Sequence, residues 1–249
     1  NCNLSYILNK NNLKFIHIGK CAGTTIKKKY NLTPYHLTRN YKNNEYYIIW
    51  IRNPIDRFVS AFNYSYSLIN TDTLNLNINN LTLDNCLAPI VIKHKMTHNH
   101  TITKRYDYLI NYFKTANELA ESITSEDIEK NKIALELMYS KEEHIFKGIG
   151  WYLYDGDFIE KNHNKIIFLG TCENLDDDAK RLGDLLNINI NNIPHIRRNK
   201  NNNDKFLSTK AITNIINFYK DSDYKALKKL VEYNFITTDL FEKYHHYIK

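Results

Sequence analysis

Leu13-Lys14-Phe15-Ile16-His17-Ile18-Gly19-Lys20-Cys21-Ala22-Gly23-Thr24-Thr25 is the stretch on which the fold turns. A short apolar run ends in a glycine and a lysine, and a second glycine with two threonines then opens what reads as a helix. Strand, tight turn and helix start together gather backbone N–H groups, a helix dipole and an ammonium around one anion. A second stretch has the same build: Tyr46-Tyr47-Ile48-Ile49-Trp50-Ile51-Arg52-Asn53-Pro54-Ile55-Asp56-Arg57-Phe58-Val59-Ser60-Ala61-Phe62. Its first six residues are aromatic or β-branched and uncharged, the pattern of a strand buried on both faces. They deliver Arg52 at the strand's C-terminal end. Pro54 suits the first turn of the following helix, and Ser60 stands two turns along it. Two anion-binding strand ends imply a ligand with two separated anionic groups. The expected fold is α/β, P-loop-like and three-layered α/β/α, with a central, mainly parallel sheet between helices.

Working outward, the first strand is expected at about 13–18 and its helix at about 23–30. Pro34 and the polar run after it read as a loop carrying His36. Phe58, Ala61, Phe62 and Ser65 repeat at helical spacing to about 69, and further helices are expected at about 105–122 and 126–140. Lys165-Ile166-Ile167-Phe168-Leu169-Gly170 is a third buried strand, and Leu175, Ala179, Leu182, Leu185 and Leu186 mark an amphipathic helix after it. One or two C-terminal helices begin at about 208. Residues 70–103 have no clean period and include Lys93-His94-Lys95-Met96-Thr97-His98-Asn99-His100, the pattern of a long connection that is a lid, a variable acceptor-side binding loop or locally disordered. No linker divides the chain, so residues 1–249 are expected to form a single domain.

The 249 residues suffice for a well-buried core, and 43% hydrophobic with 24% charged residues is ordinary for a globular protein. A formal net charge of +7 favours an anionic partner. The basic residues are scattered and no nucleic-acid reader motif occurs, so no nucleic acid is expected as partner. Cys2, Cys21, Cys86 and Cys172 are widely spaced without a CxxC pair, which argues against a disulfide framework or a structural zinc. No apolar stretch approaches the roughly 20 residues that span a bilayer. Free thiols point to a reducing, cytoplasmic compartment, with the Golgi lumen as the alternative if an N-terminal anchor has been removed.

Two familiar phosphate motifs fail here. In the ATP-binding P-loop the lysine follows the last glycine, whereas Lys20 precedes Gly23, and GxGxxG needs more glycines than Gly19 and Gly23. The first stretch instead resembles the 5′-phosphosulfate loop of sulfotransferases that use 3′-phosphoadenosine-5′-phosphosulfate (PAPS), whose glycan-modifying members commonly read "FIHIPKTAGTS". The second resembles that family's 3′-phosphate stretch, close to "VRNPxxRxVSAY". Gly150-Trp151-Tyr152-Leu153-Tyr154-Asp155, Phe168-Leu169-Gly170-Thr171-Cys172-Glu173-Asn174-Leu175, Ile193-Pro194-His195 and the region from Tyr219 to Tyr224 follow the family's succession. The likeness, which extends to heparan-sulfate 2-O-sulfotransferases and to bacterial and viral family members, covers most of the chain except 70–140. Gly19 stands where relatives have proline, and Cys21 where threonine is common.

The resemblance implies in-line transfer of a sulfuryl group from PAPS to an acceptor hydroxyl, most naturally of a carbohydrate, leaving adenosine 3′,5′-bisphosphate. Lys20 would stabilise the leaving phosphate, and Cys21, Ala22, Gly23, Thr24 and Thr25 would cradle the 5′-phosphate. Arg52 and Ser60 would hold the 3′-phosphate, with Arg197 and Arg198 approaching the nucleotide from a later loop. Family members place the general base, a histidine, between the two phosphate motifs. Thr33-Pro34-Tyr35-His36-Leu37-Thr38 resembles that element, so His36 is the expected base and His144 the reserve, ahead of His94, His98 and His100. Nothing in this scheme requires a metal, although the His94–His100 group could bind one. His17 alternates with apolar neighbours and reads as a core histidine. Trp151 and Tyr152 read as helix-packing residues, with a sugar-stacking platform as the alternative. Two other readings compete: a P-loop nucleotide kinase and a non-catalytic module that binds anionic glycan.

Overall fold

The computed structural model describes residues 12–35, 44–69, 112–140, 144–188 and 205–247. The elements in chain order are β1 (Leu13–Ile16), α1 (Gly23–Tyr30), β2 (Pro34–Tyr35), β3 (Tyr46–Ile51), α2 (Pro54–Ile69), α3 (Ala116–Ser122), α4 (Ile128–Met138), α5 (Ile149–Leu153), α6 (Asp157–Asn162), β4 (Ile166–Thr171), α7 (Leu175–Leu185), α8 (Thr209–Tyr219), α9 (Asp223–Glu232) and α10 (Thr238–His246). The chain divides into two compact units. One is Asn1–Arg57 with Gly148–Asn201 and Tyr219–Lys249; the other is Phe58–Lys147 with Asn202–Phe218. Among the described residues, no helix is long and apolar enough to cross a membrane.

The first unit holds a four-stranded parallel sheet in the order β2-β1-β3-β4, flanked by helices in the manner of a three-layer α/β/α arrangement. Tyr47–Ile51 of β3 are all buried, as an uncharged central strand requires. Leu13, Phe15, Ile26, Tyr30, Ile48, Trp50, Phe168, Ala179 and Leu182 pack as one core, joining β1, β3 and β4 to α1 and α7. Burying each large side chain contributes about 1.5–3 kcal/mol. Trp50 lies fully inside because Gly170 faces it: a Cβ there would come within 2.6 Å of its ring.

Two expectations for the sheet need correction, and within the helix expected at about 105–122 a separate helix, α3, begins at Ala116. β1 ends at Ile16, two residues early, because the Ile18 N–H turns back to the Ile16 carbonyl at 3.1 Å and takes the chain out of the sheet. Pro34 begins a short strand instead of a loop, pairing with Phe15 and Ile16. Proline has no N–H for a second neighbour, and β2 is an edge strand that needs none.

α1 shows how a short polar sequence becomes a helix. Ile26 and Tyr30, one turn apart, are buried, and Lys27, Lys28 and Lys29 occupy the last turn, where the dipole favours cations. Asn31 ends it in the left-handed conformation at φ 50°, and the N–H groups of Asn31 and Leu32 return to the Lys27 carbonyl.

In the second unit, α3 opens with a capping box of Thr115 and Glu118. Asn214 of α8 donates to the Ala120 carbonyl and the Thr124 hydroxyl, each at 2.9 Å, fixing α8 against the end of α3. Ser208 reinforces that seam through Asn117 and Glu121.

Candidate functional site

The loop between β1 and α1 runs from His17 to Ala22. Lys20 and Ala22 both have left-handed backbones, at φ 68° and 54°. Neither is glycine, so each conformation costs about 1–2 kcal/mol. Cys21 between them is not left-handed, so the backbone alternates in hand, and the Cys21 N–H donates back to the Ile18 carbonyl at 3.3 Å, closing the loop as a tight turn ahead of α1. α1 follows with no side-chain cap at its N-terminus. No acidic residue occupies its first turn, so the helix supplies no carboxylate of its own to the positive end of its dipole.

The strand order puts this loop at a switch point. From β1 the chain passes through α1 to β2 on one side, whereas β3 and β4 lie on the other. In open parallel sheets, ligands bind beyond the C-terminal strand ends at such a reversal. Ile16 of β1 pairs in register with Ile49 of β3, so the β1 loop and Arg52 leave neighbouring strand ends. Arg52 is partly exposed, and its charge acts on Cys21. Asn53 fixes the turn after it: its side-chain oxygen accepts from the Ile55 N–H, and its own N–H donates to Glu173, both at 2.9 Å. Glu173 also accepts the Tyr244 hydroxyl at 2.5 Å, tying α10 to this turn.

Beneath the loop lies a buried polar brace. Arg57 and Asp223 are both fully enclosed, with Nε and Oδ2 3.6 Å apart. Arg57 Nη2 donates to the Tyr219 hydroxyl at 2.9 Å, and Asp223 accepts the Gly150 N–H at 2.9 Å. Burial opposes the charge on Arg57, but Tyr219 and Asp223 outweigh it and hold the guanidinium protonated. Asp223 is pushed up by burial, against the pull of Arg57 and the N–H groups of Gly150 and Ile149. A guanidinium does not deprotonate in a protein, so Asp223 faces a fixed positive charge at 3.6 Å. Gly148 and Gly150 make the fit possible. A Cβ on Gly148 would stand 2.1 Å from an Asp223 carboxylate oxygen, and one on Gly150 would stand 2.4 Å from the Ser222 backbone. From α5, seated in this way, Tyr152 accepts the Gly19 N–H within the loop.

The expected site residues separate clearly. Lys20, Cys21, Ala22, Gly23, Thr24, Thr25 and Arg52 come together at the ends of β1 and β3. Cys21 is fully buried and its thiol is pushed up to about 12 by that burial, against the pull of Arg57 and Arg52, so it is a packing group and no thiolate. Ser60 and His144 belong to the second unit, where the His144 ring lies 5.7 Å from that of Tyr64. His36, Arg197, Arg198, His94, His98 and His100 lie outside the described residues.

His17 is only half-buried. It stacks on Phe15 at 5.9 Å, and a Cβ on Gly23 would strike its ring at 1.9 Å. Gly23 therefore leaves room for the histidine ring that covers it, whatever the loop binds. Trp151 is 46% exposed whereas Tyr152 is buried, so the adjacent pair divides into a surface ring and a loop support.

No family model, curated protein or solved structure matches the chain.

Sequence reading missed three partners at the site: Tyr152 for Gly19, Glu173 for Asn53, and Asp223 for Arg57. All three lie in stretches that follow the family's succession, Gly150–Asp155, Phe168–Leu175 and the region from Tyr219 to Tyr224, but nothing in those stretches names the residue each one meets.

Proposed function

We propose that this chain is a PAPS-dependent sulfotransferase that moves a sulfuryl group to an acceptor hydroxyl, with a carbohydrate as the acceptor class. The observation that carries the reading is the hand-alternating loop from Lys20 to Ala22, opening on an uncapped helix beside the strand end that bears Arg52. Two anion-binding features on neighbouring parallel strands suit a nucleotide phosphorylated at both its 5′ and 3′ positions. Lys20 as the only lysine in the loop suits a single developing charge on the leaving phosphate.

In this reading the acceptor oxygen attacks sulfur in line, and the bond from sulfur to the 5′-phosphate oxygen breaks. Adenosine 3′,5′-bisphosphate departs, its new charge met by the Lys20 ammonium and by N–H groups at the start of α1. Arg52 grips the 3′-phosphate with its planar fork, with Ser60 assigned beside it from the motif. The acceptor's proton passes to a histidine, His36 by its position between the two motifs. Arg197 and Arg198 are assigned to the nucleotide on the same sequence grounds.

Calorimetric titration with adenosine 3′,5′-bisphosphate, ATP and 5′-AMP tests the donor site. Micromolar binding that needs the 3′-phosphate and disappears in Arg52→Ala is the expected result. Preference for ATP would make the chain a nucleotide kinase, and indifference to all three would leave an anion-binding module.

A further inference from the structure

A different group of side chains lies on the last turn of α10. Glu242, His245 and His246 stand at positions i, i+3 and i+4, which a helix brings to one face. One ligating atom from each lies within 4.8 Å of the other two. His246 Nε2 is 3.1 Å from a Glu242 carboxylate oxygen. The His245 ring is already held, stacked on Phe241 at 5.9 Å and edge-on to Tyr224 at 5.5 Å. Two further features favour a cation. The turn is the C-terminal one, where the peptide dipoles end in negative charge, and Glu242 contributes a carboxylate.

We propose that Glu242, His245 and His246 form a binding site for a borderline divalent transition cation such as Zn²⁺, Ni²⁺ or Cu²⁺. Two imidazoles and one carboxylate suit these ions, whereas Mg²⁺ and Ca²⁺ prefer a shell of oxygens. Zinc–nitrogen bonds of about 2.0–2.1 Å require the donors to close to about 3.3 Å in tetrahedral geometry. The Glu242 and His246 side chains are 49% and 60% exposed, so rotation about their own bonds supplies the approach. The solvent-facing positions of the ion are left to water. Bound there, the ion cross-links the final turn of the helix that reaches Glu173 through Tyr244 and Asp56 through Tyr247. The site is independent of the sulfotransferase reading and stands or falls without it.

Zinc chloride titrated calorimetrically into the full chain tests the proposal, with magnesium chloride as the control. Glu242→Gln and His246→Ala are the variants, both at exposed positions where folding is not at stake. Loss of a group that merely orients a ligand weakens metal binding about 10–100-fold, so loss of a ligand should cost at least that. The expected result is a zinc-binding component that weakens at least about tenfold in Glu242→Gln and more in His246→Ala. That component should also raise the melting temperature of the wild-type chain. Absence of saturable zinc binding would overturn the proposal. So would undiminished binding in both variants, which would transfer the metal to other histidines such as His94, His98 and His100. Magnesium binding as well as zinc would overturn it too, by reducing the turn to an acidic surface.

Discussion

Tyr152 is the residue whose loss is most informative about the loop. Its phenol oxygen takes the Gly19 N–H just ahead of Lys20 and Ala22, two non-glycine residues in left-handed conformations. A loop that costs energy to hold needs partners that hold it, and this is one that a single atom's deletion removes. Tyr152→Phe keeps the ring and its packing but withdraws the acceptor. A hydrogen bond of this kind contributes about 1 kcal/mol, roughly fivefold in Kd. Adenosine 3′,5′-bisphosphate and 5′-AMP should therefore bind about fivefold more weakly to the variant, while adenosine 3′-phosphate is unaffected. A uniform loss for all three ligands would mean that Tyr152 acts through general stability. The residue types that make the loop were legible in the sequence, since glycine, lysine and threonine announce an anion-binding turn locally. Tyr152, Glu173 and Asp223 were not. Each meets the site from far along the chain, 120 residues in the case of Glu173 and Asn53, and such pairing leaves no local pattern.

At the scale of elements, the ion pair between Arg57 at the start of α2 and Asp223 at the start of α9 decides whether α5 has a seat. α5 is five residues long and fuses into a 3-10 turn, Tyr154–Gly156, in which Gly156 has φ 103°. Nothing in Ile-Gly-Trp-Tyr-Leu favours a stable helix alone, because nucleating so short a helix costs more than its hydrogen bonds return. Its N-terminal N–H groups are instead satisfied by Asp223. Helical periodicity, which marked α2 and α7, and the uncharged runs that marked β3 and β4 therefore had nothing to detect in α5, nor in the two residues of β2. Removing one partner of a buried ion pair typically costs about 3–5 kcal/mol, because the other charge is left stranded. Asp223→Ala should lower unfolding stability by about that amount in urea titrations. Arg57→Met combined with Asp223→Leu should recover most of it. Full additivity of the two single losses would show that the residues do not act as a pair.

For the whole molecule, tyrosine sets the alkaline limit. Tyr30 is pushed up to about 12 by burial, with Asp184 adding to it. Burial likewise raises Tyr152, Tyr219, Tyr224, Tyr244 and Tyr247, the last two with help from Glu173 and Asp56. In the unfolded chain these phenols ionise near pH 10, as free tyrosine does. Their folded values are higher, so their contribution is complete below about pH 10 and is lost as pH rises beyond it. Urea midpoints should stay level with respect to these groups from neutral pH to about pH 10 and fall steeply above it. Tyr244→Phe should make that fall shallower, and an unchanged slope would remove Tyr244 from the account. The same long reach has a consequence for synthesis. Asn53 waits for Glu173, Arg57 for Tyr219 162 residues later, and Asp56 for Tyr247 191 residues later. A ribosome that has just delivered Ile51 has made both strands of the candidate site and none of its supports. Until α10 has emerged, the turn after Arg52 lacks its hold from Tyr244 and Tyr247, so on a growing chain a fully braced candidate site should be among the last features to arrive.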